Sequence, residues 1–286
     1  MAIVCGDIHG NVEKAKTFLA YKPDDLHIAL GDYVDSFYEP PSRQFRALRL
    51  LLRSSAVLLW GNHDLHYLKT PPWFCTGRQE HNQNILDSYI NIYTRHKKRF
   101  LAAYAVDGWL CTHAGVNTML QQRFDDVSAI ADSLNAAFAG WMKKPVCYHF
   151  PSGRIATEPD SIFNIGFGRG GGSGMGGIFW FDYKREPGLA QIKQLFGHTE
   201  TKEGPIIGKT FVALDTTNNK SACWVYDTSI GEVVRLDLPR HIPAIADLPE
   251  DEQGPFSEYL IGKTVPKIGG YNEGDYMRWK ESYIWR

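Results

Sequence analysis

Three short, largely apolar runs each end in a glycine followed by an acid or an amide. That placement constrains the chain more than any other feature. Ala2-Ile3-Val4-Cys5 leads into Gly6-Asp7, Leu26 to Leu30 into Gly31-Asp32, and Ala56 to Trp60 into Gly61-Asn62. Runs of this length and content read as buried strands. Between them, Val12 to Ala20 and Gln44 to Arg53 read as helices. Strand–helix–strand alternation predicts parallel strands with crossover helices. The polar residues then collect just past the strands' C-terminal ends, the edge where ligands bind in an open α/β sheet.

Further along, Gln79 to Phe100 and Asp125 to Met142 read as helical, and Trp109 to Thr112 as a strand that delivers His113. Residues 79–145 together suggest a helical insertion beside the active face. From Gln191 onward, short strands return at Lys193 to Phe196, Thr210 to Leu214, Ala222 to Tyr226 and Glu232 to Leu236. They suggest a second sheet packed on the first. A catalytic domain over residues 1–236 is therefore expected, followed by an extension over 237–286. Prolines 239, 243, 249, 255 and 266 break any long element there, while Phe256, Tyr259, Tyr271, Tyr276, Trp279, Tyr283 and Trp285 are too apolar for a solvated tail. The extension is expected to dock on the core or on a second subunit.

Charge excludes some partners. Lysine and arginine number 31 against 32 acids, a net charge of −1, so no basic stripe for nucleic acid is expected. No apolar run approaches the roughly 20 residues that span a bilayer. Met1 leads directly into the first strand, leaving no room for a signal peptide. The five cysteines are scattered without a CxxC pair. A cytoplasmic protein is the expectation.

The chemistry lies in five cassettes: Gly6-Asp7-Ile8-His9-Gly10, Gly31-Asp32-Tyr33-Val34-Asp35, Gly61-Asn62-His63-Asp64, His113-Ala114-Gly115 and Gly197-His198-Thr199. In extended backbone, positions i and i+2 share a face, so Asp7 and His9 can reach one ion. A carboxylate paired with an imidazole suits a borderline transition metal better than calcium. One D-x-H motif is commonly just a polar strand end; five cassettes in order are not. From the residues alone His63 could be a further ligand or a surface histidine.

In order and spacing over roughly residues 2 to 236, these cassettes resemble the calcineurin-like metallophosphoesterases. The likeness is to the branch holding the Ser/Thr phosphoprotein phosphatases and the symmetrical diadenosine tetraphosphatases. The resemblance implies an α/β fold, a four-layer α/β/β/α sandwich with two metal ions at the strand ends. Asp7 and His9 would bind the first ion, Asp32 would bridge both, and Asn62, His113 and His198 would complete the second. Hydroxide held by ions roughly 3.5–4 Å apart would attack phosphorus. His63 would protonate the leaving oxygen, with Asp35 orienting it. The expected activity is a phosphatase acting on phosphomonoesters of proteins or small molecules. The alternative is a symmetrical diadenosine polyphosphate hydrolase, suggested by Gly61-Asn62-His63-Asp64-Leu65-His66. Manganese is the expected metal, with iron, zinc or cobalt tolerated by the mixed O/N set. Asp64 is expected to hydrogen-bond a ligand histidine, and His66 to pack on a helix. A phosphorylated substrate is the expected partner, and no membrane; oligomeric state is left open.

The chain departs from that family at one position. Both nearest branches place Arg-Gly after the second aspartate, where this chain has Ser36-Phe37. A guanidinium fork suits phosphate, so another arginine should serve. Arg169 and Arg43 lead, with Arg46, Arg78 and Arg154 behind. Arg169 lies in a glycine-rich run, 166–177, that reads either as a flexible loop or as a lid. Among the aromatic residues near the cassettes, proline-flanked Tyr38 and Trp73 are the ones expected to be exposed. The motif Gly197-His198-Thr199-Glu200 lacks the second histidine typical of cyclic-nucleotide phosphodiesterases.

Overall fold

A computed structural model describes residues 1–239 except 37, 76, 80–81, 122–125, 144–147, 150–154, 157–161 and 218–220. The chain divides into two units, Met1–His241 and Ile242–Arg286. The second unit lies outside the described residues, and most of the expected extension with it.

The first half follows the expected alternation. Strands β1 (Ala2–Cys5), β2 (Leu26–Ala29) and β3 (Val57–Leu59) are parallel, joined through helices α1 (Val12–Ala20) and α2 (Pro41–Arg53). Asn11 starts α1 by accepting a hydrogen bond from the Lys14 amide at 2.9 Å. Pro41 starts α2, where a missing N–H costs nothing. One turn, α3 (Asn62–Leu65), follows β3 directly. Helix α4 (Gln83–His96) is capped by the Asn82 side chain. Strand β4 (Phe100–Leu101) then pairs parallel with β3.

Next come β5 (Ala103–Val106), β6 (Trp109–Thr112), α5 (Thr118–Gln121), α6 (Val127–Lys143), and the two-stranded pair β7 (Tyr148–His149) and β8 (Ile155–Ala156). The last strands are β9 (Gln194–Phe196), β10 (Ile206–Ile207), β11 (Phe211–Ala213), β12 (Ala222–Asp227) and β13 (Glu232–Asp237).

Two mixed sheets result. The first has the order β13-β12-β1-β2-β3-β4 and the second β10-β11-β9-β6-β5. One expectation is corrected here. β12 and β13 do not join the second sheet; β12 pairs antiparallel with the free edge of β1, Val4 opposite Tyr226. A short apolar strand fits either sheet, and only the long-range pairing decides. The second sheet instead takes β5 and β6, which the sequence placed beside the active face.

Alternation along β1 explains the layering. Ala2 and Val4 join Ile28, Leu30 and Leu59 against Cys111, Leu195, Val212 and Leu214 of the second sheet, all buried. Outside, α1 packs on β12 and α2, and α6 packs on β5 and β6. The arrangement is an α/β fold of two sheets with helical layers. No helix among the described residues is long and apolar enough to cross a membrane.

Candidate metal centre

Strand ends of both sheets deliver the cassettes to one place. β1, β2 and β3 carry Asp7, Asp32 and Asn62; β6 and β9 carry His113 and His198. Asp7, Asp32, Asn62 and His113 are buried. Asp7, His9 and Asp32 form one group of convergent ligand atoms, and Asp32, His113 and His198 a second. Asp32 belongs to both. Its Oδ2 lies 3.6 Å from His9 Nε2 and 3.4 Å from His113 Nε2. Asn62 Oδ1 lies 2.8 Å from His113 Nε2 and 3.0 Å from His198 Nδ1. All six expected ligands are brought together.

Hydrogen bonds behind the imidazoles reveal what the centre is built to hold. His9 Nδ1 faces the Val34 carbonyl at 2.8 Å, and His113 Nδ1 faces the Leu30 carbonyl at 2.9 Å. A carbonyl only accepts, so both Nδ1 atoms carry protons. Both Nε2 lone pairs then point at carboxylate or amide oxygens. Acceptor facing acceptor requires a proton or a cation between them. Burial lowers the His113 pKa, yet the Asp32 carboxylate overrides it and raises the value to about 9. Burial and neighbouring Asp215 push Asp7 well above the usual carboxylate range. The His198 Nε2 is buried with no hydrogen-bond partner. Divalent cations fit this donor set, because they replace the protons that the crowded oxygens otherwise need.

The backbone is bent to make this possible. Among the described residues, six non-glycine residues have left-handed φ, and four of them are here: His9 (43°), Asp32 (52°), Asp35 (64°) and His198 (65°). Such strain collects at functional sites. Close approach fixes two glycines. A Cβ on Gly61 would overlap Asp32 Oδ1, and one on Gly197 would overlap Asp7 Oδ1.

Asp64 holds this backbone, which corrects the expectation that it bonds a ligand histidine. Its carboxylate accepts from the amides of Asp32 (2.8 Å), Gly61 (2.9 Å) and Tyr33 (3.1 Å), and from the Tyr93 hydroxyl (2.5 Å). Burial, reinforced by Asp32, raises its pKa to about 7.

His63 and Asp35 meet as expected, with Nδ1 and Oδ2 3.0 Å apart. His66 departs from its expected role of helix packing. Its Nε2 lies 2.6 Å from the same Asp35 oxygen, and its Nδ1 accepts from the Cys75 amide at 3.0 Å. That acceptance places the proton on Nε2, facing Asp35. His63, His66 and Cys75 also form a ligand-sized cluster, but this tautomer leaves His66 no lone pair toward it. Tyr67 adds a third donor to Asp35 at 2.5 Å. Burial opposes ionisation of Asp35, but His66 and His63 beside it hold its carboxyl below the ordinary range. For His63, burial lowers the pKa, while Asp32 and then Asp35 raise it to about 9.

Several positioning residues carry no motif. Gln44 Oε1 accepts from the Asp35 amide at 2.8 Å, and its Nε2 donates to the carbonyls of Ser36 (3.2 Å) and Glu39 (2.7 Å). Trp73, expected to be exposed, is buried and donates its indole N–H to the Asn62 carbonyl at 3.0 Å. Asn62 Nδ2 is turned to Cys75 Sγ at 3.4 Å, which leaves Oδ1 facing the imidazoles. Only Tyr67 had a signal, its place directly after the Asn62-to-His66 stretch.

The two leading arginines part company. Arg169 Nη2 donates to Thr199 Oγ1 at 2.9 Å, and its Nε lies 3.0 Å from Asp182. Thr199 adjoins His198, and the Arg169 charge joins burial in depressing the His198 pKa. The run from 166 to 177 around Arg169 is a hydrogen-bonded loop, closed by Phe167 N–H to Ser173 O and by Gly176 N–H to Glu186 Oε2. Arg43 is instead buried in α2, with its Nε 2.7 Å from Glu39 and a second contact to Glu13. Its neighbours are acids, not the ligand set. Arg154 lies outside the described residues, as do Phe37 and Cys147.

The sequence model for "Calcineurin-like phosphoesterase" matches residues 2–204. No curated protein matches the chain. Among solved structures, a metallophosphoesterase from Sphaerobacter thermophilus is 13% identical, with 88% of this chain and 96% of that chain covered and a TM-score of 0.34.

Proposed function

The chain belongs to the calcineurin-like phosphoesterase family and is a metal-dependent phosphoester hydrolase, and we propose that it is a phosphatase acting on phosphomonoesters. Asp35-bound His63 beside the two ligand groups carries this reading. With Nδ1 on Asp35, His63 has Nε2 left to hand a proton to one leaving oxygen. The Asp35 contact favours the protonated form of His63.

Asp7, His9 and Asp32 would hold one cation, and Asp32, Asn62, His113 and His198 the other. Bound divalent cations would supply charge neutralisation and water activation at neutral pH. The protein's own residues do the rest. Asp32 stays ionised between the ligand imidazoles. Asp35 orients His63 and stabilises its charged form. Arg169, held by Asp182 and Thr199, grips non-bridging phosphate oxygens in place of the arginine absent at Ser36. Arg169, reaching Thr199 beside the proposed ligand His198, offers a fork sized for one phosphoryl group. Membership of the phosphoprotein phosphatase branch, manganese as the metal and a cytoplasmic setting complete the proposal.

Phosphate release from a phosphopeptide and from diadenosine tetraphosphate, with Mn²⁺ supplied, tests it. The phosphopeptide should be the better substrate, and His63→Ala should lower kcat roughly 10²- to 10⁴-fold. Near-native turnover by His63→Ala would remove His63 from the proton transfer. Preference for the dinucleotide would reverse the substrate assignment.

A further inference from the structure

The glycine-rich run 166–177 reads in sequence as a flexible loop or a lid. Its contacts describe something stiffer. Both ends of the run meet at one buried side chain, Glu186. Glu186 Oε2 accepts the Gly176 amide at 2.7 Å. Gly166 lies against the other carboxylate oxygen, where a Cβ would overlap Glu186 Oε1 and crowd the Gly176 nitrogen. A Cβ on Gly176 would overlap the Trp180 carbonyl. At these two positions glycine answers a close approach rather than a need for motion. Gly166, Gly171, Gly176 and Gly177 are all buried.

From that neck the contacts lead to Arg169. The Gly166 carbonyl accepts the amides of Arg169 and Gly171, each at 3.0 Å. Phe167 to Arg169 form one tight turn hung on that oxygen. The Gly168 carbonyl accepts from Arg185 Nη1 at 3.1 Å. The guanidinium is held from the same side, with Arg169 Nε 3.0 Å from Asp182 Oδ2. Asp182 and Glu186 belong to one turn. The Glu186 amide donates to the Asp182 carbonyl at 2.8 Å, and the Asp182 amide to Glu186 Oε2 at 3.4 Å. Residues 182–186 therefore hold Arg169 twice, its backbone by way of Gly166 and its side chain directly. A side chain ordered before its ligand arrives loses less entropy on binding.

We propose that Glu186 is a positioning residue for Arg169, pinning the neck of the glycine-rich loop so that the guanidinium stands preformed for a phosphoryl group instead of closing over it. The inference rests on the reading of Arg169 as the phosphate grip and adds what fixes it.

The test measures KM and kcat for a phosphopeptide, using the full chain with Mn²⁺. It compares the native protein with Glu186→Ala, Glu186→Gln, Arg169→Ala and the double alanine variant. Glu186→Ala should raise KM roughly five- to tenfold and change kcat by less than about twofold. Glu186→Gln keeps an acceptor for the Gly176 amide and should recover most of that loss. In the Arg169→Ala background, Glu186→Ala should add less than about twofold, because the two residues act as one. An unchanged KM in Glu186→Ala, or its full increase repeated in the double variant, overturns the proposal.

Hydrogen exchange separates a preformed grip from a lid, and needs neither turnover nor a variant. In the native protein with Mn²⁺, the amides of Arg169, Gly171 and Gly176 should be protected equally with and without inorganic phosphate. Fast exchange that slows when phosphate is added overturns the proposal. A native KM in Arg169→Ala would remove the grip and the proposal with it. Absence of turnover on every ester would remove the phosphatase reading alone, and the exchange measurement would still decide between grip and lid.

Discussion

On one side of the metal centre, residues 6–66 hold their charges with buried carboxylates that each accept several hydrogen bonds. Asp64 has four donors and Asp35 has three side-chain donors. On the other side, residues 162–199 present Arg169 from a glycine-rich loop through one ion pair and one hydroxyl contact. The Arg169 side chain is about a quarter exposed, whereas Asp35 and Asp64 are buried. The difference separates two tasks. Atoms that share an ion or a proton must be fixed to a fraction of an ångström, and low dielectric strengthens their contacts. A group that grips a substrate from outside must let it enter and leave.

The comparison can be broken at its strongest point first. Asp64→Ala leaves three backbone amides and the Tyr93 hydroxyl without their acceptor. It should cost on the order of 4 kcal/mol in urea unfolding and abolish metal uptake measured by calorimetry. If stability and metal uptake survive, the first side is less dependent on this brace than its geometry indicates. Asp35→Asn keeps the shape and removes the charge. A roughly hundredfold fall in kcat is expected, with metal content unchanged by elemental analysis.

The same variant has a pH signature. In metal-free protein the folded His63 pKa of about 9 exceeds its ordinary 6.5, raised by Asp32 and Asp35 against burial. Protonated His63 therefore adds stability fully present below about 6.5, and this is lost as pH rises through about 9. Asp35→Asn should shrink that loss between pH 6 and 10, and added divalent cations should lower the His63 pKa in NMR titration. Arg169→Ala tests the second side. KM should rise about tenfold while unfolding changes by less than about 1 kcal/mol. A large loss of stability would show that Arg169 is structural.

The smallest effect belongs at the opposite end of β1. There Lys22 and the Tyr21 hydroxyl lie 2.5 and 3.1 Å from Asp227. Burial raises its pKa, but Lys22 and Ser229 outweigh it and hold the value at about 2. The stability this provides is present above about pH 4 and lost as pH falls through 2. Asp227→Asn should cost less than about 1 kcal/mol at pH 7, because Lys22 is partly in water. It should leave turnover alone, and a drop in kcat would tie this ion pair to the site.

The convergence of the proposed ligands was legible because it is written locally. Asp7 and His9 are two residues apart, and Gly61 and Gly197 are spelled by backbone that must clear Asp32 and Asp7. Parallel strands β1 to β3 were legible from alternation alone. What stayed hidden is held by contacts distant in sequence. Nothing near residue 44 announces a glutamine that staples the Asp35 loop, and the prolines beside Trp73 suggested exposure where the indole supports Asn62. Asp64 sits within a cassette, yet its partners Tyr33 and Tyr93 are about 30 residues away. Arg43 could be told from Arg169 only by its place, buried in α2 against Glu39 and Glu13 while Arg169 reaches Thr199 beside His198. The sheet assignment of β12 turned on one edge of β1.

The proposed ligands come from both sheets: Asp7, Asp32 and Asn62 from the first, His113 and His198 from the second. The Asp7 carboxylate already accepts the His198 amide across that seam, 3.0 Å away. Cations bound there would act as a clasp as well as a reagent. Metal starvation would then shorten the protein's lifetime in addition to silencing it, and a chelator would make the seam open to proteases.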